Sequence, residues 1–488
     1  MGIVQKQSVQ NVIITYIGFF IAAINTLFLY TKILPDAYYG LVTFILASGA
    51  ILMPILAFGV HNTMVKYFSN FSEEDKDGFL TLMMLTPLLG ILPVALIFSI
   101  WQEPLGNWIS KENPMVKDYL WYIFLVGLAM AYFEVFYAWC RVHMKSVFGN
   151  FMKEVFARVG VSLLLALFYF GAINLDVFLK LLVGLHLLRT IIIQLYAYTL
   201  RFPRFNLNFP AHTKEILSYS VLIILGGSAA LVLLEIDKVM LNQFISIENV
   251  AYYSVAVYIA TVIIVPSRAM HQITYPLTAE LLNSGDEAGL KKLYQRTSLT
   301  LLIASGLLFL LIILNMKDLF LLLPENYRGG FSIVLLIGLA KVMDSILGNN
   351  NAILYNSKYY RTVLFFGVGL AILTIVLNYL LIPKFGLEGA AMASFISIFI
   401  FNGVKLAFVR MKFGYWPFTA ATFKILATLV LLVVLFRFLE FSFHPLINIG
   451  LKSGLIVLMY VGILYRFNIS EDVTGYVSKW FKKIPRSG

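Results

Sequence analysis

Thr297-Ser298-Leu299-Thr300-Leu301-Leu302-Ile303-Ala304-Ser305-Gly306-Leu307-Leu308-Phe309-Leu310-Leu311-Ile312-Ile313-Leu314-Asn315 holds no charged residue, and Lys291, Lys292 and Arg296 stand just before it. A helix rises about 1.5 Å per residue, so roughly 20 apolar residues cross the hydrocarbon core of a bilayer. The run is too long for a strand and too apolar for one face of a soluble helix. It reads as a transmembrane span with a basic cytoplasmic flank. The pattern recurs at about 11–31, 41–61, 78–100, 119–140, 155–173, 177–199, 218–245, 250–272, 331–350, 362–382, 388–408, 423–440 and 448–467, which makes fourteen spans. The connections are short, and none is long enough for a soluble domain.

Composition agrees. Hydrophobic residues are 60% of the chain and charged residues 13%, against about half and a quarter in a soluble domain. The net charge is +12, but the cations punctuate apolar segments instead of clustering on a soluble face. That pattern points to lipid headgroups and topology, not to nucleic acid. The single cysteine, Cys140, lies in an apolar run, which excludes a disulfide framework and argues against a thiolate metal site. No metal or cofactor is expected. The first apolar run continues for a full span without a small-residue cleavage site, unlike a secretory signal. Met1-Gly2 fits myristoylation, but Lys6 stands where that motif needs Ser or Thr.

Orientation follows from Lys and Arg. With the N-terminus inside, about 23 of them, Arg141 and Lys153 included, fall on the cytoplasmic side and about 8 outside. An even number of spans then places both termini in the cytoplasm. The tail Lys479-Trp480-Phe481-Lys482-Lys483 reads either as an interfacial anchor or as a solvated basic tail.

The chain also repeats. Asp36-Ala37-Tyr38-Tyr39-Gly40 follows span 1, and Val250-Ala251-Tyr252-Tyr253-Ser254 follows span 7; Ala-Tyr-Tyr recurs 214 residues on, from position 37 to position 251. An even number of intervening helices keeps the orientation, so the repeats would be parallel. This predicts lobes at 1–214 and 215–422, with two added spans and a basic tail at 423–488. The same shift sets Glu235, Asp237 and Lys238 opposite Ile21, Ala23 and Ile24, inside the bilayer, and Arg268 opposite Pro54.

Five segments carry a resemblance. They are Pro35-Asp36-Ala37-Tyr38-Tyr39-Gly40; Glu235-Ile236-Asp237-Lys238-Val239-Met240-Leu241 with Ala251-Tyr252-Tyr253-Ser254-Val255-Ala256; Pro276-Leu277-Thr278-Ala279-Glu280 with Gly285-Asp286; Pro324-Glu325-Asn326-Tyr327; and Ile382-Pro383-Lys384-Phe385-Gly386-Leu387-Glu388-Gly389-Ala390-Ala391-Met392-Ala393. In order and spacing the chain resembles the multidrug/oligosaccharidyl-lipid/polysaccharide (MOP) exporter superfamily, and within it the polysaccharide-biosynthesis, Wzx-type O-antigen flippases. Members usually carry Gly where this chain has Ala251 and Pro324. The resemblance implies an all-α polytopic membrane protein in which two pseudo-symmetric six-helix lobes form a V around a central cavity. It implies a transporter, not an enzyme, that moves a lipid-linked oligosaccharide of undecaprenyl-pyrophosphate type by alternating access. It further implies a bacterial inner membrane, a role in O-antigen or lipopolysaccharide synthesis, and a polysaccharide polymerase as a partner.

An ionisable group at the bilayer centre costs about 2.5–3.5 kcal/mol on insertion scales, so such groups face protein or water and mark function by default. The set is Glu134, Arg189, Glu235, Asp237, Lys238, Arg268, Lys341, Asp344 and Lys405. One reading is a polar cavity whose cations hold a pyrophosphate. Arg268 stands first there because a guanidinium fork binds phosphate in two places; Lys341, Lys405, Lys238 and Arg189 follow. Asp237, Asp344, Glu235 and Glu134 would couple transport to an ion or neutralise cations, with Lys341 and Asp344 spaced to touch on one helix face. The other reading is ion pairs that hold helices together, or, for Arg189 and Lys405, snorkelling to the interface. His186 and His271 read as packing residues before proton carriers, and Asn349-Asn350-Asn351 as a cap on span 10. Pro54, Pro87, Pro93 and Pro266 are candidate bending points.

Alternatives remain inside the superfamily. A cation-coupled drug antiporter commonly needs acidic residues in the first lobe, and span 1 offers only Asn25. A peptidoglycan-precursor flippase resembles a cavity with several first-lobe arginines, and spans 1 and 2 have none. A membrane glycosyltransferase or polymerase would need a large outer loop; the longest, about 101–118, offers only Glu103, Glu112 and Asp118 as carboxylates. No nucleotide-binding glycine loop, HExxH, CxxC or nucleophile elbow is present.

Overall fold

A computed structural model describes residues 3–470 and 474–475. The myristoylation motif at Met1-Gly2, the Lys479–Lys483 tail and Gly488 lie outside these. The described residues form helices joined by turns, with no strand among them. Each apolar run read from the sequence lies on helix. Among the described residues, eight helices are long and apolar enough to cross a bilayer, from Val9–Ile33 and Asp36–Leu56 to Arg361–Phe413 and Pro445–Arg466.

Arg361–Phe413 contains two of the runs. It is broken at Gly386, where φ is 57° and ψ is −130°. That region is open to glycine and closed to residues with a Cβ. The motif Pro383-Lys384-Phe385-Gly386 is therefore the corner between two spans. A second corner follows Pro54. The helix Asp36–Leu56 ends, Phe58 and Gly59 both take positive φ, and Val60–Tyr67 starts a new axis. A Cβ at Gly59 would collide with the Ser220 carbonyl, and Thr63 Oγ1 hydrogen-bonds Ser220 Oγ at 2.8 Å. Pro54 thus precedes a helix break instead of a gentle kink.

Packing groups the chain into two units. One holds the residues up to Val255 together with Gly367–Ala390; the other holds Ala256–Phe366 and Ala391 onward. In the first, Phe79, Phe133, Trp139, Cys140 and Ile193 are buried in one cluster, and Leu56, Ile91, Phe124 and Ala131 in another. In the second, Leu302, Leu310, Leu432, Ile456 and Tyr460 form the main cluster. A lipid-facing exterior supplies no hydrophobic drive for helices to associate, so packing and interhelical hydrogen bonds must hold these groups together.

Candidate functional site

In the first unit the acidic-basic cluster of Thr213–Phe244 resolves into two arrangements. Lys238 Nζ donates to Glu235 Oε2 at 2.7 Å one turn away. Asp237 is buried at 6% exposure, and its carboxylate accepts from Tyr253 Oη at 2.6 Å and from Asn378 Nδ2 at 2.7 Å. Three helical segments thus meet on one carboxylate. Tyr39, the repeat partner of Tyr253, reaches back in the same sense to the Thr26 carbonyl at 3.2 Å and stacks on Tyr30.

In the second unit Lys405 is buried at 1% exposure. Its ammonium lies 3.6 Å from Asp344 Oδ1, donates to Asn351 Oδ1 at 3.1 Å and sits over the Phe401 ring. Snorkelling is thereby excluded for Lys405. Lys341 stands one turn before Asp344 on Phe331–Ile346. Arg268 is exposed in the first turn of Val265–Ser284 and makes no hydrogen bond or ion pair among the described residues. The three asparagines do not cap the preceding helix. Asn349 bonds Thr278 and Thr297, Asn350 donates to the Tyr294 hydroxyl, and Asn351 holds Lys405, so they tie helices together.

His186 Nδ1 donates to the Leu182 carbonyl at 3.0 Å, and His271 Nε2 donates to the Gly348 carbonyl at 3.3 Å, both packing roles. No group of three His, Cys, Asp or Glu side chains fit for a metal occurs among the described residues. The first unit also holds an apolar cavity of about 640 Å³ bounded by Phe44, Ile51, Phe98, Trp108, Met240 and Tyr379. Its lining suits a hydrocarbon chain.

Residues 8–282 match the family described as "Polysaccharide biosynthesis protein". The chain belongs to this family. Among curated proteins, an uncharacterized membrane protein of Methanocaldococcus jannaschii is 21% identical over 400 residues, 76% of this chain and 77% of the relative. Among solved structures, the lipid II flippase MurJ in an inward closed conformation aligns over 95% of this chain and 100% of its own, with a TM-score of 0.67 and 15% identity. An inward-facing multidrug resistance MATE family transporter aligns over 83% and 98%, with a TM-score of 0.65 and 14% identity. A MOP superfamily transporter from Pyrococcus furiosus aligns over 85% and 96%, with a TM-score of 0.59 and 14% identity. The fold is that of these MOP-superfamily structures, and the apolar helices make the chain a multi-pass membrane protein.

This family member carries charge in its first unit that sequence reading assigned to loops. Lys153 Nζ donates to Glu134 Oε1 at 2.6 Å. Arg141, one further turn along the Glu134 helix, lies over the Tyr137 ring and reaches toward the His61 carbonyl at 3.5 Å. Arg189 is buried at 7% exposure with its guanidinium 4.3 Å from the centre of the Phe133 ring, so it does not snorkel. The signal was present in the sequence. Glu134, Tyr137 and Arg141 fall at i, i+3 and i+7 and share one helix face, but Arg141 and Lys153 had been counted only as topology markers.

Proposed function

We propose that this chain is a flippase that carries a lipid-linked oligosaccharide, of undecaprenyl-pyrophosphate type, from the cytoplasmic to the outer leaflet. It works by alternating access of two six-helix lobes, 1–214 and 215–422, in a bacterial inner membrane with both termini in the cytoplasm. Membership of a polysaccharide-biosynthesis family carries the reading. The likeness in fold to a lipid II flippase over 95% of the chain supports it. So do the intramembrane cations: an oligosaccharide headgroup and its phosphates need a polar, cationic path, and hydrocarbon offers none. Arg268, exposed and unpartnered among the described residues, is the first substrate contact in this scheme. Lys341, Lys238 and Arg189 follow. Lys405 acts through its pair with Asp344.

One observation favours a second reading. A buried carboxylate shared by three helical segments, Asp237 with Tyr253 and Asn378, offers a cation-coupled drug antiporter a coupling site, in the 215–422 lobe and not in the first lobe where such antiporters commonly carry it. The test is complementation. A host lacking its own oligosaccharide flippase recovers surface polysaccharide when the chain is expressed, and gains no resistance to cationic drugs. Drug resistance without polysaccharide would reverse the choice.

A further inference from the structure

The charged cluster of the first unit is built from four helical segments. Glu134, Tyr137 and Arg141 share one face of Leu120–Val142. Lys153 comes from the π-helical turn Met152–Phe156, a widened turn of the kind that recurs at functional sites. Arg189 comes from Leu175–Leu200, and His61 from Val60–Tyr67. Counted from the basic ends of their helices, Glu134, Lys153 and Arg189 lie roughly 10–17 Å into the span.

The charges do not cancel. Arg141, Lys153 and Arg189 bring three positive charges, and Glu134 supplies one negative charge within electrostatic reach of them. Glu154 is already taken by Arg158 at 2.8 Å. Two positive charges are left over. Moreover, Arg141 Nε, Arg189 Nε and His61 Nδ1 are buried without a hydrogen-bond partner. Buried polar atoms are nearly always paired, and an unpaired buried guanidinium nitrogen is costly. Three such atoms in one cluster mark a place where an acceptor is missing. Guanidinium and ammonium groups together are the donor set that binds phosphate oxygens.

We infer that His61, Arg141, Lys153 and Arg189 form a binding site for a phosphate group, with Glu134 as its internal counter-ion. The site rests on the flippase reading for its physiological ligand. A pyrophosphate diester carries two negative charges and matches the residual charge, whereas a phospholipid phosphodiester carries one. Lys153, half-exposed beside Glu134, is the entry-side cation, and Arg189 is the inner one.

The test uses purified full-length protein and three probes: farnesyl-pyrophosphoryl-N-acetylglucosamine (a pyrophosphate diester), dioleoyl phosphatidylglycerol and uncharged dioleoylglycerol. Binding is read by equilibrium dialysis, with folding checked by thermal unfolding. Arg189→Gln and Arg141→Gln each weaken binding of the pyrophosphate diester about tenfold or more, the effect of one charge-assisted hydrogen bond. Arg189→Lys recovers part of the loss. Glu134→Gln tightens binding, because the competing carboxylate is gone. A merely structural ion pair would make Glu134→Gln weaken binding alongside the cation variants, and that result, or unchanged affinity in folded Arg141→Gln, overturns the site. Preference for the pyrophosphate over phosphatidylglycerol assigns the site to the transported lipid; equal binding of both, with the same sensitivity to substitution, assigns it to a membrane-lipid headgroup. The two readings fail separately. A wild-type chain that binds with this charge pattern but restores no polysaccharide sinks the flippase reading alone. Restored polysaccharide with charge-independent binding sinks this site alone.

Discussion

Tyr253 and Asp237 lie on successive helices and share a hydrogen bond of 2.6 Å, the phenol donating to a carboxylate buried at 6% exposure. Tyr39, its repeat partner, donates instead to the neutral Thr26 carbonyl at 3.2 Å. Each phenol reaches back to the preceding helical segment, and the acceptors differ in charge. A hydrogen bond to a buried charge is worth about 1.5–3 kcal/mol, and one to a neutral group about 0.5–1.5 kcal/mol. Tyr253→Phe therefore lowers the thermal unfolding temperature in detergent more than Tyr39→Phe does. Equal losses would show that the carboxylate gains nothing special from the phenol.

Lys405 is buried and pairs with Asp344, which is one-third exposed, and here the two roles separate by double substitution. Removing one partner of a buried pair leaves a charge without compensation and costs about 3–5 kcal/mol, whereas replacing both by apolar residues is often neutral. Asp344→Leu alone, which leaves the buried Lys405 ammonium uncompensated, destabilises strongly, and Lys405→Met alone, which leaves the part-exposed carboxylate, destabilises less. Lys405→Met combined with Asp344→Leu recovers most of the stability. If the stable double variant also transports, the pair is structural; if it is stable and inactive, the charges serve the substrate path.

On the loop side, Arg201 closes a clamp. Its Nε and Nη2 donate to Asp77 Oδ1 at 3.0 and 2.8 Å, and its Nη1 donates to Glu73 Oε2 at 2.7 Å. Hydrogen bonds from Lys76 first and Arg201 second hold the Glu73 carboxyl down at about 2, from an ordinary value of 4.5. A carboxyl with a lowered folded value adds stability above its unfolded value and loses it as the pH falls through the folded one. Wild type is thus slightly more stable than Glu73→Gln at pH 6–8, and the gap closes between about pH 4.5 and pH 2. Glu73 is 74% exposed, so the effect is small and fades in salt. A gap that persists undiminished at pH 2 would place the effect elsewhere.

Much of the fold was readable because hydrocarbon imposes one rule, that a crossing segment be long, apolar and helical. Each run found by that rule lies on helix. A connection near Gly386 was readable too, since residues 383–387 stand between the runs 362–382 and 388–408. Pairing was less readable. Asp237 reads from the sequence as an ion-coupling or cation-neutralising carboxylate, and no spacing rule finds Tyr253 and Asn378 among its hydrogen-bond donors. Those partners are distant in sequence. The asparagines were misread as a cap because a cap is local and their true partners, Thr278, Tyr294 and Lys405, are not. Lys153 and Arg141 were hidden by the positive-inside rule itself, which counts basic residues near span ends without asking whether they fold back onto a carboxylate.

The topology has a direct check. Basic residues concentrate on one side of the expected spans, and the expected topology puts Asn113 on the opposite side. There its side chain donates to the Asn242 and Ile245 carbonyls and accepts from the Ile247 amide. Reporter fusions after Asn113 and after Gly488 should register opposite compartments, with the second cytoplasmic. A C-terminal fusion active only outside the cytoplasm would require an odd number of spans or an inverted chain.

Arg268 offers the sharpest test of transport. A mid-span arginine is penalised on insertion, and this one, exposed in the first turn of Val265–Ser284, has no partner among the described residues to offset the cost. It does not serve as a structural cation in the way Lys405 does. Arg268→Ala should leave membrane abundance and thermal unfolding within the small range of surface changes, about 0.5 kcal/mol. Surface-polysaccharide output in the flippase-deficient host should fall about tenfold or more, as expected for loss of one charge-assisted contact. Arg268→Lys keeps the charge but loses the planar fork, so its output should lie between the two. Normal output from a normally abundant Arg268→Ala protein removes Arg268 from the substrate path. Loss of abundance instead of activity would assign it to insertion and packing.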